Sequence, residues 1–375
     1  MKQDHSQQAT NTAQQSSEKA ITASQLLLKS TLLALTIATG MLVVTAIGLL
    51  IFVYSKFSVF LSTAGLSFDQ AKSYVEQGLS TELPSQDNVT TFLLLGIDTV
   101  ENKEGAPPLT DSMVLVSIDH RDGSVKTVAL PRDLWSEEYK TKINALYVYG
   151  QERYPASPQQ FSKEVLEQMT GIPINYTIVI SLDMVASLVD TLGGVTIDIP
   201  TSFTDTEFPR TDVDIATVKD PAGLYEIVSF EKGPEKMSGQ RTLKYIRSRH
   251  SAGDTGTDTD RAMRQQLVIR SVAEMFQQKS VWTNPELVGQ LYLWYAKHLK
   301  AVISESEVVA LGKLLLPFRN SIAVSSSEIT IYPDDPNGLI EHPAISKTDN
   351  QWVYSIKNSE EFRKKVYDML IKPSN

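Results

Sequence analysis

Between Thr31 and Tyr54 the chain reads TLLALTIATGMLVVTAIGLLIFVY, about two dozen residues without a formal charge. A helix rising about 1.5 Å per residue needs about 20 such residues to cross the hydrocarbon core of a bilayer. A secretory leader has a shorter apolar core, about 7–15 residues, with a small-residue cleavage site close behind. Here the run is longer, and the KFSVFLS that follows offers no clean site. Lys19 and Lys29 precede the run and Lys56 follows it, a bias that favours a cytoplasmic N-terminus. The expectation is a signal anchor over residues 26–54, single-pass in the plasma membrane, with the bulk of the chain outside. Residues 1–25, rich in Gln, Ser, Thr and Ala, read as a disordered cytoplasmic tail. Residues 55–88 read as an extracytoplasmic stalk, in which LSFDQAKSYVEQGLS is helical and LPSQDN breaks the helix.

The remainder, residues 89–375, reads as one domain without internal repeats. With no cysteine in the chain, disulfides, thiolate zinc sites and cysteine nucleophiles are excluded. His5, His120, His250, His298 and His342 show no metal-ligand spacing. A net charge of -9 argues against nucleic acid as a partner, which needs an extended basic footprint.

VTTFLLLGID is a short apolar run rich in strand formers, and it delivers Asp98 at its end. TDSMVLVSID and DGSVKTVAL, joined through an Asp-Gly turn, predict a hairpin that ends at PRDLW. PQQFSKEVLEQMTG predicts a helix closed by Gly171, INYTIVIS a strand, LDMVASLVDTLGG a helix and VTIDIP a strand. Farther on, Asn284-Pro285-Glu286 marks a helix start, and Ser304 with Glu307 a capping box. EITIYP and QWVYSI read as strands, with a last helix from Ser359 to Ile371. Strands alternating with helices point to a layered α/β fold.

Against the acidic background, residues Arg241–Arg270 concentrate Arg241, Lys244, Arg247, Arg249, Arg261, Arg264 and Arg270. A guanidinium is a planar, permanently charged fork that fits phosphate bidentately. In LKYIRSRHS the alternation predicts a strand with Arg247 and Arg249 on one face. Asp260 then caps a helix on which Arg261 shares a face with Arg264 and Gln265. Taken singly, each arginine also fits a solvated helix face. Asp98 and Asp111 fall at the ends of what should be adjacent strands, with Arg132 after the next. Two carboxylates suit Mg²⁺, which takes one or two of them plus substrate phosphates. A turn or cap role fits either aspartate alone.

The blocks LLLGID, TDSMVLVSID, VKTVALPRDLW, KINALYVYG, GIPINYTIVISLDMVASLVDTLGGVTIDIP, SGQRTLKYIRSR and DRAMRQQ together resemble the LytR-CpsA-Psr family of bacterial cell-envelope phosphotransferases. The resemblance covers about Val89 to Phe276. It implies a single α-β-α layered domain, its central mixed sheet flanked by helices that enclose an apolar lipid cavity. It also implies transfer of a glycopolymer from a polyprenyl-pyrophosphate carrier to peptidoglycan or another envelope acceptor, with the lipid bilayer as a further partner. Carried over, Asp98 and Asp111 would hold Mg²⁺ (or Mn²⁺), and Asp98 would take the acceptor's hydroxyl proton. Arg132, Arg247, Arg249, Arg261 and Arg264 would clamp the pyrophosphate, with Gln265 beside them. Leu109 stands where the family usually has a basic residue, and the Ser251–Thr259 loop is rich in Gly and Thr. The same residues leave two other readings: a pyrophosphatase on lipid or nucleotide pyrophosphates, and a non-catalytic polyprenyl-lipid binder.

Overall fold

The computed structural model describes residues 3–97, 109–210, 213, 221–248, 258–319 and 322–373. The chain divides into two compact units, residues 1–60 and 61–375. Helix α1 covers Gln3–Ala64, and within it Leu35–Ala64 is long and apolar enough to cross a membrane. Residues 3–25 are therefore helical where the composition reads as disordered. Their Ala, Gln, Glu and Lys are good helix formers, and once a helix is nucleated downstream each added residue gains a hydrogen bond.

Helix α2 (Phe68–Ser80) opens with a capping box between Ser67 and Gln70. Strands β1 (Val89–Ile97), β2 (Thr110–Asp119) and β3 (Val125–Leu130) follow, with β2 and β3 forming the expected hairpin. After β4 (Trp135–Ser136) and β5 (Thr141–Lys142) come α3 (Leu146–Arg153) and α4 (Gln159–Thr170), then β6 (Tyr176–Ser181) and α5 (Leu182–Thr191). Strands β7 (Val195–Ile199), β8 (Phe203–Pro209), β9 (Tyr225–Phe230) and β10 (Gly233–Met237) lead into α6 (Gly239–Arg247) and α7 (Asp258–Gln277). The chain continues through α8 (Lys279–Thr283), α9 (Pro285–His298), α10 (Glu305–Leu315), β11 (Val324–Glu328), β12 (Ile331–Tyr332), β13 (Ile340–Glu341), β14 (Ser355–Ile356) and α11 (Ser359–Leu370). The helix starts at Asn284-Pro285 and Ser304 and the stop at Gly171 fall where the caps predicted them.

The main sheet has the order β11-β3-β2-β1-β6. Strand β1 runs antiparallel to β2 and parallel to β6, while β11 returns from far along the chain to lie parallel to β3. Because strand side chains alternate faces, β1 and β2 feed two cores. Leu93, Leu95, Met113 and Leu115 are fully buried against Leu146, Phe161, Leu166 and Phe362 of α3, α4 and α11. Each contributes roughly 1.5–3 kcal/mol by leaving water. On the opposite face Phe92, Ile118, Tyr176 and Ile178 pack with Leu299, Ile303 and Leu311, from α10 and the turn between α9 and α10. That second face is less closed, for Leu94, Val114, Val116 and Ile180 are only half-buried. A third cluster joins α5, α6 and α7 to strands β7–β10 through Val189, Ile197, Phe230, Tyr245 and Val268.

Candidate active site

Register brings several strand ends to one edge of the main sheet. Ile97 at the end of β1 lies opposite Ser181 at the end of parallel β6 and opposite Thr110 at the start of β2. Leu130, ending β3, pairs with Met113. Open sheets of this kind bind ligands outside the carboxyl ends of their strands. Asp98, the next residue after β1, lies outside the described residues. Asp111 and Arg132 are brought together: Arg132 Nη1 donates to Asp111 Oδ1 at 2.7 Å. The pair extends sideways, with Arg132 Nε 3.5 Å from Asp133 Oδ2 and Lys142 Nζ donating to Asp133 Oδ1 at 2.6 Å. The result is an alternating row of half-buried charges, Asp111, Arg132, Asp133 and Lys142.

Main-chain bonds hold the Pro131–Asp133 loop from several sides. Leu134 N–H donates to the Pro131 carbonyl at 2.9 Å, Asn144 N–H to that of Arg132 at 3.2 Å and Tyr354 N–H to that of Asp133 at 2.9 Å. Thr110 Oγ1 donates to the Asn144 carbonyl at 3.0 Å, so the start of β2 and the arginine loop share one anchor. Asp133 and Lys142 were not among the expected site residues. The signal for Lys142 was its place as the lone charge in KINALYVYG; Asp133 follows Arg132 directly.

The basic segment folds differently from expectation. The described part of LKYIRSRHS, residues 243–248, contains no strand: Gly239–Arg247 is helix α6, with Ser238 capping it through the Arg241 N–H. The spacing that decides this is Arg241, Lys244, Arg247, one cation every third residue, with Thr242, Leu243, Tyr245 and Ile246 buried between. That is a helical face, whereas the alternation rested on the last few residues only. Gly239 lets the helix sit directly on α5. Its N–H donates to Asp190 Oδ1 at 2.7 Å, and a Cβ there would come within 2.3 Å of the Ala186 carbonyl oxygen.

The arginines then divide by partner. Arg241 pairs with Glu235 at 2.6 Å and lies 3.8 Å above the Phe230 ring; Lys244 pairs with Glu226 at 2.7 Å. Both charges are met within the fold. Exposed Arg270 pairs with Glu274 one turn on. Arg247 closes α6, its guanidinium 6.0 Å from the Phe208 ring. Arg264, only 5% exposed, reaches from α7 to donate to the carbonyl of Ser248, the C-cap of α6, and lies 5.0 Å from the Phe203 ring. It thereby ties α7 to the end of α6 that carries Arg247. Gln265 is half-buried on α7. Arg249 lies outside the described residues, as does the Arg261 side chain, although its backbone is in α7; Asp260, expected as the cap, sits inside that helix, which starts at Asp258. Leu109, half exposed, stands directly before β2.

A model of the LytR_cpsA_psr family matches residues 57–334. The chain belongs to the LytR_cpsA_psr family. Among its relatives, a *Bacillus cereus* protein named polyisoprenyl-teichoic acid–peptidoglycan teichoic acid transferase TagU is 25% identical over 233 residues, which is 61% of this chain and 65% of that protein. The match thus spans just under two thirds of the relative's length. A *Bacillus mycoides* protein of the same name is 24% identical over 286 residues, 75% of this chain and 78% of its own. The crystal structure of *Bacillus subtilis* TagV superimposes with a TM-score of 0.51 at 20% identity, covering 77% of this chain and 100% of that one. LytR_cpsA_psr membership and this likeness bear out the layered α/β expectation: a mixed sheet with helices on both faces.

Proposed function

We propose that this chain is a membrane-anchored phosphotransferase that moves a glycopolymer from a polyprenyl-pyrophosphate carrier to peptidoglycan or another cell-envelope acceptor. The observation that carries the reading is the Asp111–Arg132 pair at the sheet edge, in a family whose matched relatives are named as teichoic acid transferases. The apolar helix within Leu35–Ala64 supports an anchor in the plasma membrane, and Lys19 and Lys29 favour an N-terminus inside with the catalytic domain outside.

In this reading the acceptor hydroxyl attacks the phosphorus next to the sugar. A new O–P bond forms, the bond to the bridging oxygen breaks, and polyprenyl phosphate leaves with the electron pair. The hydroxyl proton goes to a carboxylate, assigned to Asp98. Arg132 and Arg247, with Arg249, Arg261 and Gln265, hold the pyrophosphate and meet the charge that develops on the leaving group. Arg264 acts through the α6 end that it fixes. Asp111 offers hard carboxylate oxygens at a half-buried edge, a donor set that fits Mg²⁺ or Mn²⁺ shared with Asp98. Such an ion would neutralise pyrophosphate charge. The lipid tail would lie on the half-buried sheet face of Leu94, Val114, Val116 and Ile180. At about 0.8 kcal/mol per buried methylene, each prenyl unit gains roughly 3–4 kcal/mol there.

The test uses the full-length chain in detergent with a short-chain polyprenyl-pyrophosphoryl sugar, Mg²⁺ and peptidoglycan fragments. Glycan attachment and polyprenyl phosphate release are followed together. Both should appear, and Arg132→Ala or Arg247→Ala should each lower turnover at least about tenfold. Release without any need for acceptor would make the protein a pyrophosphatase. Tight lipid binding with neither product would make it a binder.

A further inference from the structure

The LytR_cpsA_psr match ends at residue 334, and the chain beyond it builds a surface next to the site. His342, Trp352 and Tyr354 form a ring cluster, with centroids 4.3 Å apart for His342–Trp352, 4.2 Å for His342–Tyr354 and 5.1 Å for Trp352–Tyr354. The cluster is held firmly. His342 Nδ1 donates to the Val353 carbonyl at 2.9 Å, which leaves Nε2 directed elsewhere on the ring. Before Trp352 the chain makes a turn in which Asp349 and Asn350 take left-handed backbone (φ 51 and 61). Thr348 Oγ1 closes that turn by donating to the Gln351 carbonyl at 2.8 Å. Val353, pointing the other way, is buried. Yet the Trp352 side of the segment faces water: the residue is 53% exposed.

An indole fixed in place and left half in solvent is apolar surface retained against its hydration cost. Rigid aromatic faces with a polar rim are binding surfaces. This one is clipped to the catalytic edge. Tyr354 N–H donates to the Asp133 carbonyl at 2.9 Å and Trp135 N–H to the Tyr354 carbonyl at 2.7 Å, immediately beside Arg132.

We propose that His342, Trp352 and Tyr354 form a platform for the acceptor glycan, packing the C–H face of a neutral N-acetylhexosamine ring beside the Asp111–Arg132 edge. The proposal rests on the transferase reading above. A pyranose presents a face of C–H bonds to an aromatic ring and a rim of hydroxyls, one of which His342 Nε2 meets. Charge selects the acceptor over the donor polymer. In the sequence from Asp334 to Lys357 that carries the platform, the carboxylates Asp334, Asp335, Glu341 and Asp349 outnumber Lys347 and Lys357. A polyanionic phosphate polymer is repelled there, and a neutral glycan is not.

The experiment titrates the full-length chain in detergent with an N-acetylglucosamine tetramer and, separately, with a glycerol phosphate oligomer. Trp352→Ala should weaken tetramer binding at least tenfold, Trp352→Phe should restore most of it, and Trp282→Ala, an exposed indole elsewhere, should leave it unchanged. Equal tetramer affinity in wild type and Trp352→Ala overturns the platform, as does absence of tetramer binding by wild type. Binding of the phosphate oligomer that depends on Trp352 overturns the acceptor assignment. Cleavage of the polyprenyl-pyrophosphoryl sugar is read in parallel. Loss of Trp352-dependent binding while donor cleavage proceeds rejects the platform alone. Trp352-dependent tetramer binding by a wild-type chain that cleaves no donor rejects the transferase reading alone.

Discussion

At the scale of single residues, Arg264 shows how charge and role part company. Its guanidinium is buried and spent on a main-chain carbonyl at the end of α6. Truncation leaves that carbonyl without its donor and a void beside Phe203. Arg264→Ala should therefore cost about 2–4 kcal/mol, seen as a lower denaturant midpoint at unchanged slope. An unchanged midpoint would return the residue to the phosphate clamp. His120 gives a pH signature. Burial pushes its pKa below the ordinary 6.5, only partly opposed by Asp119, and its Nε2 lies 2.8 Å from Thr90 Oγ1. The folded state then binds fewer protons than the unfolded chain in the interval below 6.5. This contribution is complete above that value and is lost as pH falls toward the folded-state pKa. Burial, helped by Lys297, pushes His298 the same way. Unfolding midpoints should fall from about pH 7 to pH 5, and His120→Gln should flatten that decline; an identical profile in the variant would exclude His120 as a source.

Among the elements, those with local signals were legible and those set by distant contacts were not. Caps at Asn284 and Ser304 and the hairpin of β2 and β3 were read from a few neighbouring residues. Helix α6 was misread because its period shows only when Arg241 and Lys244 are counted with Arg247. Helix α2, placed by the sequence in a stalk, packs on α10. A Cβ on Gly78 would fall 2.4 Å from Val309 Cβ, and Lys313 Nζ donates to the Leu79 carbonyl at 2.7 Å. Lys300 Nζ adds a contact 5.9 Å from the Tyr74 ring. A chain beginning at Leu61 should thus fold and stay soluble, whereas one beginning at Val89 bares the α10 face. Its thermal midpoint should be lower by several degrees and α10 should be cut earlier in limited proteolysis. Equal midpoints would show that α2 adds no stability.

For the molecule as a whole, composition and pattern gave the long apolar helix and the layered class, but not the order of the sheet. Nothing local announces that β11 joins β3 or that β6 runs parallel to β1. Part of the candidate site was readable because its residues are close in sequence: Asp111 lies in β2, and Arg132 follows two residues after the end of β3, the next strand. The Asp133–Lys142 pair is set by the short β4–β5 hairpin, whose two-residue strands carry little pattern. The Tyr354 clip depends on a backbone crossing between separate segments, which residue types alone do not encode.

That clip has a bearing on how the protein is made. Tyr354 fastens the loop of Arg132, β11 flanks β3, and Ser117 Oγ on β2 donates to the Leu370 carbonyl across 253 positions of sequence. Contacts of such separation form late and slowly. Chains are synthesised from the N-terminus, about 5–20 residues per second, so the apolar helix emerges well before the residues that brace the Asp111–Arg132 edge exist. With the anchoring proposed above, the nascent protein is tethered first and completed last, and a chain cut short before Tyr354 would carry its Asp111–Arg132 edge unbraced.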